Sequence, residues 1–448
     1  MKSSKEKRRG GFFEALIREF EFPLERAQVF ISAFHHAMGQ GLAGRPSALR
    51  MLPSFLSRPK GEERGRFLAL DLGGTNVRVL EAALEGAGRA TLKAVSRSVV
   101  PQEVMSGPGE ALFDFLAGCV AAFIAEHPLV EKGERLLSFT FSFPTEQLAV
   151  ASGRLLAWTK GFTAAGVVGR DVVSLLQDAL SRKGLGGIRV AALINDTVGT
   201  LMAGAYAHAA CDLGVILGTG TNACYPERIE RIGKLSRKGE EGEMIINIEW
   251  GNFDGLPANR FDAALDRASP NPGRQRMEKM ISALYVGELV RLALQETVLS
   301  EGLSQETERV FSRPFSLSAE QAALIAEGRV EDSPLLGRFG EKERRVLISI
   351  ARSVFERSAR IAAFALTAVL TWMDPSLTRK HLVAVDGALF EHNPFYREDI
   401  RRTLEVILGD RADKVELILV KDGSGIGSAV AGAVAQKEKE ALQPESEG

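Results

Sequence analysis

Two strands that each deliver a turn rich in glycine and threonine constrain this chain more than any other feature. The first is Phe67-Leu-Ala-Leu-Asp71, which runs into Leu-Gly-Gly-Thr-Asn76 and out through Val77-Arg-Val-Leu80. The second is Leu213-Gly-Val-Ile-Leu-Gly218, which leads into Thr-Gly-Thr221. Bare glycine backbone can come close to an anion, and a nest of N–H groups beside hydroxyl, amide and carboxylate side chains suits phosphate. A single Gly-Gly turn is equally a plain hairpin. Two of them, one near Gly73 and one near Gly218, are what clamping a polyphosphate between two lobes requires. A third segment, Asp422-Gly-Ser-Gly-Ile-Gly427, sits between a strand and a helix, where the helix N-terminus attracts negative charge. It does not spell the dinucleotide fingerprint G-x-G-x-x-G, and no strand with a ribose-binding acid follows it. No G-x-x-x-x-G-K-[ST] occurs, so the P-loop class is excluded as well.

Around these turns, helical and strand periodicities alternate. An amphipathic stretch Phe12–Met38, broken at Pro23, precedes a Gly/Pro/Ser-rich loop from Gly39 to Gly65. The strands Phe67–Asp71 and Val77–Leu80 form a meander with a third near Thr91–Val99. Helix Glu110–Glu126, strand Arg135–Phe143, helix Asp171–Arg182, strand Ile188–Ile194 and helix Val198–His208 follow. The pattern then restarts after Leu213, with strands near Ala223–Ile229 and Glu243–Trp250 and long helices over Arg274–Leu299 and Glu341–Met373. Strand Leu382–Val385, helix Phe395–Leu408, strand Val415–Val420 and helix Ser424–Glu440 close the chain. The reading is a layered α/β protein of two topologically related halves, each opening with a strand that carries a Gly/Thr turn.

Composition narrows the function. The chain has 448 residues, and its 56 Lys+Arg nearly cancel 57 Asp+Glu, so it lacks the positive field used to bind nucleic acid. Cys119, Cys211 and Cys224 are an odd number without a C-x-x-C pair, which fits packing thiols in a reducing cytoplasm. The six histidines form no H-E-x-x-H and read as surface or ordinary polar residues. The basic segment Lys2–Arg9 is not followed by an apolar signal core, so nothing here directs export, and it reads as a solvated end. The most apolar window, Ile361–Met373, is shorter than the roughly 20 residues that span a bilayer and reads as a buried helix. No membrane partner is expected.

Several polar residues stand where an open α/β sheet puts its ligand groups. Ala191-Ala-Leu-Ile-Asn195-Asp196-Thr197 ends an apolar strand with an amide and a carboxylate. Asp196 could be a helix N-cap. As chemistry, the amide would bind a hydroxyl while the carboxylate accepts its proton. Trp158-Thr-Lys-Gly-Phe162 adds a hydroxyl and a cation. Glu249, in Ile248-Glu-Trp-Gly251, is another strand-end acid, and Glu278, in Gln275-Arg-Met-Glu-Lys279, otherwise reads as a solvated helix face.

Taken together, these segments resemble the hexokinase family, sugar kinases of the actin-like ATPase superfamily, from about Met38 to Ala435. Phe67–Asn76 is similar to the family's first phosphate motif, and Phe139-Thr-Phe-Ser-Phe-Pro144 with Trp158–Phe162 to its sugar signature. Ile194-Asn-Asp-Thr-Val-Gly-Thr200, Leu217-Gly-Thr-Gly-Thr-Asn-Ala-Cys-Tyr225, Asn271-Pro-Gly-Arg-Gln275 and Asp422-Gly-Ser-Gly425 continue the resemblance in order.

The resemblance implies a two-lobed actin-like (ribonuclease H-like) α/β fold with an interlobe cleft. Its N-terminal half would be 10–203 and its C-terminal half 209–440, with a small lobe of about 64–194 and the remainder as large lobe. It implies ATP-dependent phosphorylation of the 6-hydroxyl of glucose and related hexoses, the first step of glycolysis, with MgATP and hexose as the partners of a cytoplasmic monomer or homodimer. Asp196 would be the general base and Lys160 a second catalytic group. Ser142, Thr159, Lys160, Asn195, Asp196, Asn222, Glu249 and Glu278 would contact the sugar. Phosphates would lie against Asp71, Gly73, Gly74, Thr75, Asn76 and Arg78, and against Gly218, Thr219 and Gly220. Asp71 would hold magnesium through water, and the adenosine would rest near Gly387, Gly423 and Ser424.

The chain departs from the family's usual pattern at Ala388, where serine is frequent, at Thr145, where cysteine is common, and at Asp254, where glycine is common. Pro257–Phe261 is also unusual. Two other readings compete. A related superfamily kinase would act on another small acceptor, which a coupled assay over a panel of acceptors detects. A catalytically weak sugar-binding regulator would bind glucose tightly without turnover.

Overall fold

The computed structural model describes residues 13–128, 134–235, 241–301, 311–329, 331–333 and 335–442. The basic segment Lys2–Arg9 lies outside them. The strands are β1 (Leu52–Pro53), β2 (Arg64–Leu72), β3 (Asn76–Gly86), β4 (Arg89–Val99), β5 (Arg135–Phe141), β6 (Thr145–Ala149), β7 (Ser152–Leu155), β8 (Ile188–Ile194), β9 (Cys211–Leu217), β10 (Thr221–Arg228), β11 (Glu243–Asn247), β12 (His381–Asp386) and β13 (Val415–Leu419). Among the helices, α1 is Ala27–Leu42, α2 Gly109–Glu126, α3 Val172–Arg182, α4 Asp196–Ala207, α5 Glu341–Met373 and α6 Gly423–Leu442.

Two sheets organise the molecule, and they share one plan. In the first the order is β4-β3-β2-β5-β8; in the second it is β11-β10-β9-β12-β13, with β1 added at the β11 edge. Each opens with an antiparallel meander (β2–β3–β4 and β9–β10–β11) and continues with two strands parallel to the first. Parallel strands need crossover connections, which helices such as α2, α3 and α5 supply. All six parallel strands therefore end on one side of their sheets, and those carboxyl ends carry the turns singled out in the sequence.

The small lobe's core packs Leu68, Leu70, Phe139 and Leu137 against Phe113, Leu116 and Val120 of α2 and Leu176 of α3. The large lobe's core surrounds α5, whose Ile361–Leu370 stretch is buried as the apolar window required. A third cluster joins the lobes. Val198, Leu201 and Met202 of α4 and the Ala429–Ala435 stretch of α6 lie between Phe67 and Ala69 of one sheet and Cys211 and Ala384 of the other. Each fully buried Leu or Phe contributes about 1.5–3 kcal/mol. Small residues on α4 and α6 let the two helices approach closely enough to serve both sheets.

The alternation legible in the sequence is largely present, with four differences. The stretch Arg274–Leu299 is two helices, Arg276–Ile281 and Ala283–Glu301, separated by Ser282 in an extended conformation. The break aims the second helix's first N–H groups at the second Gly/Thr turn: Ala283 N–H donates to the Gly218 carbonyl (2.8 Å) and Leu284 N–H to that of Thr219 (3.2 Å). The Gly39–Gly65 loop contains the edge strand β1. The β6–β7 hairpin carries too few apolar residues to read as strands. Helices Arg260–Ala268 and Ala319–Glu327 open with capping boxes, Asn259 with Asp262 and Ser318 with Gln321, a signal the apolar periodicity did not pick up.

Cys211 and Cys224 are buried and Cys119 half-buried, all three as free thiols. Among the histidines, His381 is fully buried rather than superficial, its Nδ1 2.9 Å from Asp212 Oδ2. Among the described residues no helix is long and apolar enough to cross a membrane.

Candidate active site

The small lobe brings three strand ends together. Asp71 lies one residue before the end of β2, Ser142 follows β5, and Asn195 follows β8, with the Ser142 N–H donating to the Leu72 carbonyl at 3.2 Å. Asn195 is the N-cap of α4, accepting the Thr197 N–H at 2.9 Å. Asp196 is therefore the first helical residue and not the cap. Its Oδ1 also takes the Thr197 N–H, at 2.8 Å, and its side chain remains only partly buried.

The Thr159–Lys160 loop is held by an aromatic cluster. Trp158 stacks on Phe162 (5.4 Å between centroids) and meets Phe143 edge-on (5.0 Å), while its Nε1 donates to the Ala164 carbonyl. Ring contacts of this geometry add about 0.5–1.5 kcal/mol each beyond burial. Lys160 occupies the left-handed region at φ 56°, and its ammonium donates to the carbonyls of Gly73 (3.1 Å) and Ser142 (2.9 Å). One side chain thus ties the Lys160 loop to the first Gly/Thr turn.

That turn is anchored by Asp71. Its Oδ2 receives Arg78 Nε at 3.1 Å and the Ser424 hydroxyl at 3.1 Å, and Arg78 reaches on to Asp422 Oδ1 at 2.6 Å. Asp71 Oδ1 is buried without a hydrogen-bond partner. Burial pushes the Asp71 carboxyl above its usual range, against the pull of Arg78 and with a further push from Asp196. A buried carboxylate oxygen with no donor is the environment a hydrated cation would relieve.

On the large lobe, β9 ends in the second turn, β12 in Asp386-Gly387, and β13 leads to Gly423-Ser424. Gly387 has φ 123°, and a Cβ there would stand 2.4 Å from the Leu217 carbonyl oxygen, so only glycine lets this segment lie on the second turn. Glu278 faces the same turn: its Oε2 accepts the Thr221 N–H at 3.1 Å and occupies space that a Cβ on Gly220 would enter. Glu249, at φ 58°, accepts from Asn247 Nδ2 at 2.9 Å and lies 3.3 Å from Asn222 Nδ2. Asn222 Nδ2 in turn lies 3.4 Å from Asn195 Oδ1, so the polar ends of β8, β10 and β11 meet.

The acids of the two lobes share one electrostatic neighbourhood. Burial raises Glu278 to about 7, with Glu249 and Asp196 pushing the same way and Lys160 opposing. Glu249 is raised by burial and by Asp196, and Asp386 by burial, to about 6, with Asp196 again contributing. Asp196 therefore faces Asp71, Asp386, Glu249 and Glu278, drawn from both lobes. Glu278, on its own sequence a solvated helix face, is half-buried in the cleft. Two polar residues went unassigned in the sequence: Asn247, a lone amide in the apolar run Met244-Ile-Ile-Asn-Ile248, and Asp386, which accepts the Gly387 and Gly423 N–H groups. The polar interruption of a buried strand was the available signal for Asn247.

A two-sheet fold with matching topology, and Gly/Thr turns and carboxylates on the facing strand ends, defines a two-lobed kinase of the actin-like ATPase type. Hexokinase profiles match residues 13–206 and 212–434. The chain is 39% identical over 444 residues to hexokinase-7 of Oryza sativa subsp. japonica, covering 94% of this chain and 96% of that protein. It is 39% identical over 419 residues to human hexokinase-3, covering 89% of this chain and 44% of that longer one. The structure of a Schistosoma mansoni hexokinase complexed with glucose superposes with a TM-score of 0.84 at 30% identity, covering 95% of this chain and 99% of that one. The chain belongs to the hexokinase family, and its activity is phosphoryl transfer to a hexose.

Proposed function

We propose that the chain transfers the terminal phosphoryl group of MgATP to the 6-hydroxyl of glucose, and of related hexoses, with Asp196 as the general base. The observation that carries this reading is the position of Asp196, at the meeting of both Gly/Thr turns and the Asn195, Asn222, Glu249 and Glu278 cluster. Ser142, Thr159, Lys160, Asn195, Asn222, Glu249 and Glu278 hold the sugar hydroxyls. The buried hydroxyl of Ser142 has no partner within the chain, which suits a group reserved for substrate.

Gly73, Gly74, Thr75, Asn76 and Arg78 on one side, and Gly218, Thr219 and Gly220 on the other, hold the phosphates, while Gly387, Gly423 and Ser424 receive the adenosine. The unpartnered Asp71 Oδ1 fits a magnesium-bound water. When bound, MgATP supplies the phosphoryl group and a metal ion that offsets its charge. Asp196 takes the proton of the attacking hydroxyl, and Lys160, already spanning the Lys160 loop and the first turn, places positive charge beside the transferring group. The small lobe, about 64–194, closes on the remainder when sugar binds, which excludes water as a competing acceptor.

We infer a monomer or homodimer in a cytoplasmic setting, the compartment alone being supported by three free thiols. A coupled assay of the purified protein with MgATP and separate hexoses tests the reading. Tight glucose binding without turnover would instead favour a sugar-binding regulator.

A further inference from the structure

Asn247 joins two of the proposed sugar contacts, Asn222 and Glu249. It is the last residue of β11, opposite Cys224 of β10 and Leu52 of β1, and only 7% exposed. Its Oδ1 accepts from Asn222 Nδ2 at 2.6 Å and its Nδ2 donates to Glu249 Oε1 at 2.9 Å. An amide has one accepting end and one donating end, and here the first meets a donor while the second meets a carboxylate. Asn247 can therefore sit only one way round. Asn222 is fixed by the same logic: its Oδ1 accepts the Ala223 N–H at 2.8 Å, so its nitrogen must face Asn247 and Asn195. Isoleucine or valine would serve the buried strand at no desolvation cost, whereas an asparagine there is costly unless its hydrogen bonds are made.

We infer that Asn247 is a positioning residue of the hexose site, holding the Asn222 amide and the Glu249 carboxylate in the orientation that receives the sugar while not contacting the sugar itself. The inference rests on the sugar-site reading above and deepens it.

The second consequence concerns ionisation. Asn247 acts on Glu249 from its own segment. The other groups facing Glu249 are Asp196 from α4, Glu278 from helix Arg276–Ile281, Lys160 from its loop and Arg50 from the segment before β1. Burial and Asp196 push the Glu249 carboxyl up; the Asn247 amide, Arg50 and Lys160 pull it down. Asn247 also borders a small cavity of about 20 Å³ lined by Ser54, Gln147 and Asn195, room for about one water molecule. Truncating the amide enlarges that space without restoring an oriented donor.

The test uses the full chain carrying Asn247→Ala or Asn247→Asp, with Glu249→Gln as reference, and measures kcat and both KM values from about pH 5 to pH 9. For Asn247→Ala the glucose KM should rise roughly tenfold, the MgATP KM should stay within about twofold, and the acid limb of kcat/KM for glucose should move to higher pH. Asn247→Asp keeps the acceptor for Asn222 but sets a second carboxylate against Glu249, so its limb should move further. Being nearly isosteric, it also keeps the test alive should the alanine variant fold poorly. An unchanged glucose KM, a raised one with a stationary acid limb, or equal rises for both substrates would overturn the inference. If Glu249→Gln also leaves the glucose KM unmoved, the sugar-site reading has failed; if only the Asn247 variants are silent, the inference alone has.

Discussion

Gly199 of α4 and Gly427 of α6 meet where the two helices cross, so closely that a Cβ on Gly427 would lie 1.7 Å from the Gly199 carbonyl oxygen. The contact couples the helix that begins at Asp196 to the helix that begins beside Ser424. Both helices lie between the sheets, so a change in their separation moves the proposed base relative to the proposed nucleotide site.

Gly427→Ala should therefore be strongly destabilising. Overpacking costs about 1–3 kcal/mol when neighbours can yield, and here the obstructing atoms are backbone. The expected result is an unfolding free energy lowered by at least that amount, read as a lower denaturation midpoint, with kcat reduced in whatever protein remains folded. Gly118→Ala in α2 is the control, since nothing lies within 4 Å of the added atom. It should stabilise by about 0.5–1 kcal/mol through helix propensity. Equal midpoints for the two variants would contradict the crossing.

Asp196→Ala should lower kcat by about 10²–10⁴-fold while glucose binding, measured by intrinsic fluorescence or calorimetry, largely survives. The separation is expected because Asn195, Asn222, Glu249 and Glu278 remain to hold the sugar. Asn195→Ala should behave in the opposite sense, raising the glucose KM more than it lowers kcat. Loss of glucose binding in Asp196→Ala would show that this carboxylate is a binding group and not the base.

Arg78→Lys should raise the MgATP KM by roughly 10–100-fold and leave the glucose KM within about threefold, because one planar guanidinium serves Asp71, Asp422 and Ser424 at once and an ammonium cannot. The exchange also breaks the guanidinium's hydrogen bonds to Asp71, part of the pull that opposes burial there, although the ammonium keeps the charge. A carboxyl raised above its unfolded value favours the native state at low pH, and that advantage disappears as pH rises through the native value. The variant's melting temperature should accordingly fall more steeply than the parent's as pH rises above the ordinary carboxylate range. Parallel melting profiles would argue that Asp71 does not depend on Arg78.

The strand-and-turn frame was legible because it is written in local chemistry. Asp71-Leu-Gly-Gly-Thr and Leu217-Gly-Thr-Gly-Thr need glycine for close backbone approach, and the Asn195-Asp196 pair stands out at the end of an apolar strand. What escaped was set by long-range contact. The split at Ser282 follows from hydrogen bonds to Gly218 and Thr219, some 65 residues away in sequence. Asn247 matters only because Asn222 and Glu249 arrive beside it. Glu278 has a helix-surface spacing, and its partial burial comes from the Gly220 and Thr221 backbone folding over it.

Glu278 gives the sharpest pH prediction. Its carboxyl is raised from 4.5 to about 7 mainly by burial, with Glu249 and Asp196 adding to the push against Lys160 and the Thr221 N–H. Between those two values the unfolded chain has lost the proton that the folded chain still holds, so stability falls as pH rises and levels off above about 7. The full difference is worth about 3 kcal/mol at most. Glu278→Gln keeps an acceptor for Thr221 and removes the titration. Without ligand, its melting temperature should exceed the parent's by up to a few degrees at pH 8, with the gap closing towards pH 4.5. The same change should raise the glucose KM, since a sugar hydroxyl bonds a carboxylate more strongly than an amide. A variant that melts in parallel with the parent across this range would show that Glu278 is ionised at ordinary cost, and the shared acidic cleft would lose its clearest physical signature.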